Sequence, residues 1–110
     1  MIVEVMTGAD ERPEVRVVHV DDLTKLHLAL GQVTDQEADE ALREAGLGRL
    51  RDSETGLLDV AALRAAAEPQ AGGEDWARQW DGMVEHARGE GWVADDGASL
   101  QVHVESAASG

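Results

Sequence analysis

The first 20 residues carry two runs of β-branched side chains separated by a polar connection. The runs are residues 2–6 and 15–20, and the connection between them contains both Gly8 and Pro13. Two such runs joined by a short polar loop predict an antiparallel hairpin. Valines occupy both pleat faces of the second run, a pattern that favours a central strand covered on both sides.

The pattern then changes from strand-like to helical spacing. Asp21 and Asp22 are suitable N-cap residues for a first helix, and Gly31 would end it. The apolar stripe of this predicted helix consists of Leu23, Leu26 and Leu30.

Three further helices are predicted downstream. Thr34 and Glu37 have the spacing of a capping box and open the second helix, which runs to residue 45. Asp59 caps a short third helix. The fourth begins at residue 74 or 75 and places Trp76 and Trp80 on one apolar face, which indicates packing in the core.

The remaining segments complete a single-domain prediction. Residues 49–56 read as an irregular loop, and residues 91–94 and 100–105 flank a turn signal that predicts a second hairpin. We expect one α+β domain over residues 1–105, with N-terminal and C-terminal hairpins forming an antiparallel sheet and about four helices inserted between them. Residues 106–110 are predicted to be a disordered tail. The predicted core includes Leu42, Leu63, Trp76, Trp80, Leu100, Val102 and Val104.

Composition narrows the range of functions. The 110 residues include 23 Asp and Glu against 9 Lys and Arg, for a net charge of −14. This charge argues against nucleic acid and anionic membranes as partners, and it permits a basic or amphipathic protein surface. One Lys, no Phe or Tyr, and abundant Ala, Gly and Arg indicate a high-GC, bacterial genome. Without a signal peptide or a long apolar segment, we expect a cytoplasmic protein.

One candidate pocket follows from the predicted elements. His27 would lie on the apolar stripe of the first helix, and His19 would end the second strand. Asp21 and Asp22 join these two elements, so imidazoles and carboxylates could meet there, with Trp92 contributing to the lining. The alternative is that His27 only covers the edge of the core. The spacing matches no metal signature, and no cofactor motif occurs, so neither a metal nor a cofactor is predicted.

The leading functional interpretation is a small non-catalytic interaction or regulatory protein that docks on a basic or amphipathic partner. The acidity, the small size and the absence of a catalytic motif favour it, and a homodimer is compatible with it. The alternative is a small-molecule-binding protein or small enzyme with a pocket near His19, His27 and Trp92.

Overall fold

Six strands and three α-helices make up the described part of the chain, which is residues 1–8, 10, 12–94 and 97–106 of a computed structural model. The strands are β1 (Ile2–Thr7), β2 (Pro13–Val18), β3 (His27–Leu30), β4 (Gly48–Leu50), β5 (Thr55–Asp59) and β6 (Ser99–Ser106). The helices are α1 (Asp35–Ala45), α2 (Val60–Ala67) and α3 (Trp76–Gly89).

The strands form one mixed sheet in the order β2-β1-β3-β6-β5-β4. The pairs β1–β2, β4–β5 and β5–β6 are antiparallel, whereas β1–β3 and β3–β6 are parallel. The α+β class and the N-terminal hairpin are therefore confirmed, and the prediction of a purely antiparallel sheet is wrong. The valine-rich β2 lies at an edge of the sheet and not at its centre, with only Val17 of its residues buried.

The predicted first helix is replaced by a short 3-10 turn (Leu23–Lys25) and the strand β3. Leu28 and Leu30 are buried, and His27 and Ala29 are half-buried, so the side chains follow the alternation of a strand. Leu26 and Leu30, four positions apart, fit a period of two as well as a helical stripe, whereas Leu28 fits only the period of two. Pairing with β1 on one side and with β6 on the other favours the strand over the helix.

The predicted loop at residues 49–56 contains parts of two paired strands, β4 and β5. Gly48 begins β4 because a Cβ at this position would clash with the carbonyl oxygen of Leu57. The second predicted hairpin is reduced to an isolated bridge between Val93 and Leu100, and β6 pairs instead with β5 and β3. Two residues of its predicted turn, Asp95 and Asp96, lie outside the described residues, as do residues 107–110 of the predicted tail.

The three helices cover one face of the sheet. Along β6, Leu100, Val102 and Val104 are buried while His103 and Glu105 are exposed, as expected for a strand with one wet face. Helix α1 contacts both edge strands, β2 and β4, so the sheet curls around it. Every predicted core residue is at most 7% exposed: Leu42, Leu63, Trp76, Trp80, Leu100, Val102 and Val104.

Two tryptophans fix α3 in this core. The indole Nε1 of Trp76 donates a buried hydrogen bond of 2.7 Å to the carbonyl oxygen of Val20. Its ring stacks on that of Trp80, with centroids 5.4 Å apart. The N-terminal end of α3 is thereby joined to the segment that leads into the 3-10 turn.

A carboxylate joins α1 to β4. Asp39 Oδ1 accepts a hydrogen bond of 2.8 Å from the Leu50 amide, and Asp39 Oδ2 lies 2.8 Å from Arg43 Nε. Burial alone would raise the pKa of Asp39, but these hydrogen bonds and the charges of Arg43 and Arg49 together lower it below its usual value.

No helix in the described part of the chain is long and apolar enough to span a membrane.

The Trp76–Val20 hydrogen bond predicts a difference between two conservative substitutions. Trp76→Phe should destabilise the fold through its smaller ring and, in addition, by about 1–3 kcal/mol because the buried Val20 carbonyl loses its hydrogen-bond donor. Trp80→Phe removes a similar ring from the same stack and serves as the control. Chemical denaturation of both variants measures the difference, and equal losses of stability would contradict a role for the hydrogen bond.

The lowered pKa of Asp39 predicts a loss of stability in acid. The ionised carboxylate is favoured in the folded state, so its contribution is complete above its unfolded pKa, which is about 4. The contribution is lost as pH falls through the lower folded pKa. Asp39→Asn should therefore be less stable than wild type by roughly 1–2 kcal/mol at pH 7. This difference in unfolding free energy should shrink between pH 5 and pH 2 in denaturation experiments, and a constant difference would contradict the assignment.

Candidate functional site

Strand β6 pairs with two different segments along the edge that faces β3. Near its start, the Gln101 amide donates to the Trp92 carbonyl oxygen at 2.6 Å, and the Ala94 amide donates to the Ser99 carbonyl oxygen at 2.8 Å. Further along, Val104 is paired with Leu28 of β3. The concave surface of interest lies where the first partner ends and the second begins.

A cavity of about 660 Å³ occupies this position, between α3, the 3-10 turn and β6. Its lining residues are Asp21, Asp22, Leu23, Thr24, Leu26, Gln79, Met83, His86, Ala87, Trp92, Leu100, Gln101 and Val102. An adjoining concavity of about 630 Å³ shares five of these residues and adds Glu54, Thr55 and His103. We call the two together the Trp92 groove, since Trp92 lines both.

Trp92 is held by its backbone while its side chain stays accessible. Its amide donates to the Ala87 carbonyl oxygen at 2.8 Å, after Gly91 adopts a left-handed conformation (φ 80°) that suits glycine. The indole ring is edge-to-face with the imidazole of His86, with centroids 5.7 Å apart. Trp92 is 47% exposed, which makes it a fixed aromatic surface beside the cavity.

The ionised side chains around the groove are acidic. Asp21 and Asp22 line the larger cavity and Glu54 the smaller one, and the described lining side chains include no Lys or Arg. The Asp22 carboxylate accepts hydrogen bonds from the amide and the hydroxyl of Thr24, at 3.2 and 2.6 Å. Asp21 accepts a hydrogen bond of 3.3 Å from the Gly72 amide. These bonds hold both carboxylates in place.

The amino group of Met1 packs beside this acidic rim. It donates a hydrogen bond to the carbonyl oxygen of Asp22. Burial lowers the pKa of the amino group, and the nearby charge of Asp22 opposes that effect.

Three of the five residues predicted for a pocket line this groove: Asp21, Asp22 and Trp92. The two histidines do not. His27 shares a sheet face with Glu105, and its Nε2 lies 3.5 Å from a Glu105 carboxylate oxygen. His19 is exposed and has a positive φ of 51°. The physical reason is that residues 27–30 form a strand, whose alternation directs His27 away from the face that carries Leu28.

Helix α3 contributes lining residues that were not predicted from the sequence. Gln79, Met83 and His86 line the larger cavity and are spaced four and three residues apart, so they occupy one face of the helix. His86 is exposed. The sequence signal for these residues was the helix face of Gln79, Met83 and His86, which lies next to the apolar stripe that carries Trp76 and Trp80.

The described residues of the groove combine apolar and acidic side chains. No described His in the groove forms an ion pair with a carboxylate, and no group of three His, Asp or Glu side chains in the described ranges is placed to hold a metal ion. What the groove offers is an apolar floor, an accessible indole and carboxylates at the rim.

Comparison of the chain with models of protein families, with curated proteins and with solved structures gave no match in any of the three.

Proposed function

We propose that this protein is a non-catalytic binding module that docks a basic, amphipathic segment of a partner protein in the Trp92 groove. The observation that carries the proposal is the exposed Trp92 ring, fixed between an apolar floor and an acidic rim. Tryptophan is the side chain most often found at the energetic centre of protein interfaces.

The chemistry of the groove selects the kind of segment. Leu26 and Met83 offer apolar contact, and the face of an indole attracts Arg and Lys side chains within about 6 Å. Asp21, Asp22 and Glu54 supply opposite charges for the same cations. A segment that carries Arg or Lys beside large apolar residues satisfies both requirements.

The charge of the whole molecule supports the same choice. A net charge of −14 attracts basic partners at long range and raises their association rate at low salt. It also disfavours a second copy of this chain as the occupant, because the copy would bring the same excess of negative charge.

A small-molecule ligand is the second candidate, since a cavity of about 660 Å³ lies within the usual range of about 300–1,000 Å³ for such sites. The same chemistry would select an organic cation with an apolar body.

Removing the Trp92 ring should abolish most of the binding. We expect Trp92→Ala to weaken binding of a synthetic amphipathic peptide rich in Lys, Arg and Leu by at least about tenfold, as for an interface hot spot. Met6→Ala is the matched control, because Met6 is similarly exposed (42%) but lies outside the groove. Titration calorimetry measures both affinities. Equal losses in the two variants, or no binding by wild type, would contradict docking at Trp92, and saturable binding of an organic amine alone would favour the second candidate.

The acidic rim predicts a local charge effect that can be separated from net charge. Asp21→Asn with Glu54→Gln should weaken binding of the same peptide about five- to tenfold, because two charges near the occupant are lost. Glu40→Gln with Glu44→Gln changes the net charge equally on exposed positions of α1 and should change the affinity less than about twofold. The affinities measured at about 50 and 200 mM salt should also differ less for the rim variant than they do for wild type. Indistinguishable affinities of the two double variants would show that only the overall charge matters.

A further inference from the structure

Positive charge is scarce in this chain, and part of it is concentrated in one place. Arg43, Arg49 and Arg51 line a concavity of about 680 Å³. The chain contains only 9 Lys and Arg in total, against 23 Asp and Glu. Three arginines around one depression are therefore a strong local departure from the acidity of the rest.

The fold fixes two of these arginines relative to the sheet. Arg49 lies opposite Leu57 in the β4–β5 pair, and the Arg51 amide donates to the Thr55 carbonyl oxygen at 2.9 Å. Arg49 belongs to β4 and Arg51 directly follows the end of that strand, and both line the same concavity.

The third arginine is positioned from the helix. Arg43 lies in the last turn of α1 and is held by its ion pair with Asp39. Asp39 also binds the Leu50 amide, so a single carboxylate sets the end of α1 against β4. The three guanidinium groups thus project from a small and well-connected part of the fold.

Two of the three form no ion pair in the described structure, although the charge of Arg49 acts on Asp39 at longer range. Arg16, Arg64 and Arg88 each pair with at least one carboxylate. No described carboxylate lies within ion-pair distance of Arg49 or Arg51. In a protein with this excess of Asp and Glu, the positive potential of the two is left available to a ligand.

The floor of the concavity is apolar. Leu57, which is 7% exposed, lies opposite Arg49 on the same face of the sheet, whereas Leu50 and Val93 are half-buried and pack against the core. Arginine stems often cover such residues without binding anything. That role requires only the aliphatic part of the side chain, so a test that removes the guanidinium and keeps most of the stem separates the two explanations.

We propose that this concavity, the Arg49–Arg51 site, binds a small organic anion. The guanidinium groups take a phosphate or carboxylate group, for which their planar fork of donors is suited. The apolar body of the ligand packs against Leu57, on the sheet face that carries Arg49. This inference does not depend on docking in the Trp92 groove.

The test uses phenyl phosphate and benzoate as probes, with NMR detection of the arginine Nε–H resonances. Wild type should show saturable shifts of the Arg49 and Arg51 resonances with at least one probe, with a Kd in the millimolar range or below. Binding of phenyl phosphate alone assigns the site to phosphate esters, and binding of benzoate alone assigns it to carboxylates. Inorganic phosphate should bind at least about fivefold more weakly than phenyl phosphate if the apolar floor takes part.

Two double variants decide whether the site is specific. Arg49→Gln with Arg51→Gln should weaken binding of the better probe at least tenfold. The matched control is Arg12→Gln with Arg78→Gln, which removes the same charge from two other exposed arginines and should change the affinity less than twofold. The melting temperature of each variant shows that it is folded, and Arg51→Gln alone replaces the first pair if that pair is not. Shifts that do not saturate, or equal losses in the two double variants, would overturn the proposal.

Discussion

The hydrogen bond from Trp76 to the carbonyl of Val20 is the contact on which the functional surface depends. It joins positions 56 residues apart in the chain and is buried. One wall of the Trp92 groove is the segment from Asp21 to Leu26, which directly follows Val20, and the other is α3, which Trp76 begins. A donor and an acceptor sealed from water resist separation, so the width of the groove is set inside the core.

Charge is distributed over the surface in a way that total composition conceals. The groove is rimmed by Asp21, Asp22 and Glu54, whereas Arg49 and Arg51 belong to a separate concavity. The short segment of residues 91–94 lies between them, with Trp92 lining the acidic side and its neighbours the basic side. Long-range attraction follows the net charge, but recognition at contact distance follows these local differences.

The features that could be predicted from the sequence are those determined by residues close to one another in the chain. Thr34 and Asp59 cap their helices as expected, because a cap is made by neighbours in the chain. Strand β3 was missed because Leu26 and Leu30 fit either period, and only β1 and β6, remote in sequence, select the strand. The same error misplaced His27. Trp92 lines the cavity, but the α3 residues opposite it could not be deduced without the packing of that helix.

The central position of β6 has a consequence for the order of assembly during synthesis. It is the last of the described strands along the chain, yet it lies between β3 and β5 and connects the two parts of the sheet. On a nascent chain, the edges of β3 and β5 therefore remain unpaired until β6 has been made. Exposed strand edges are templates for pairing between molecules. In the interval before β6 emerges, these two edges are open to pairing with another molecule.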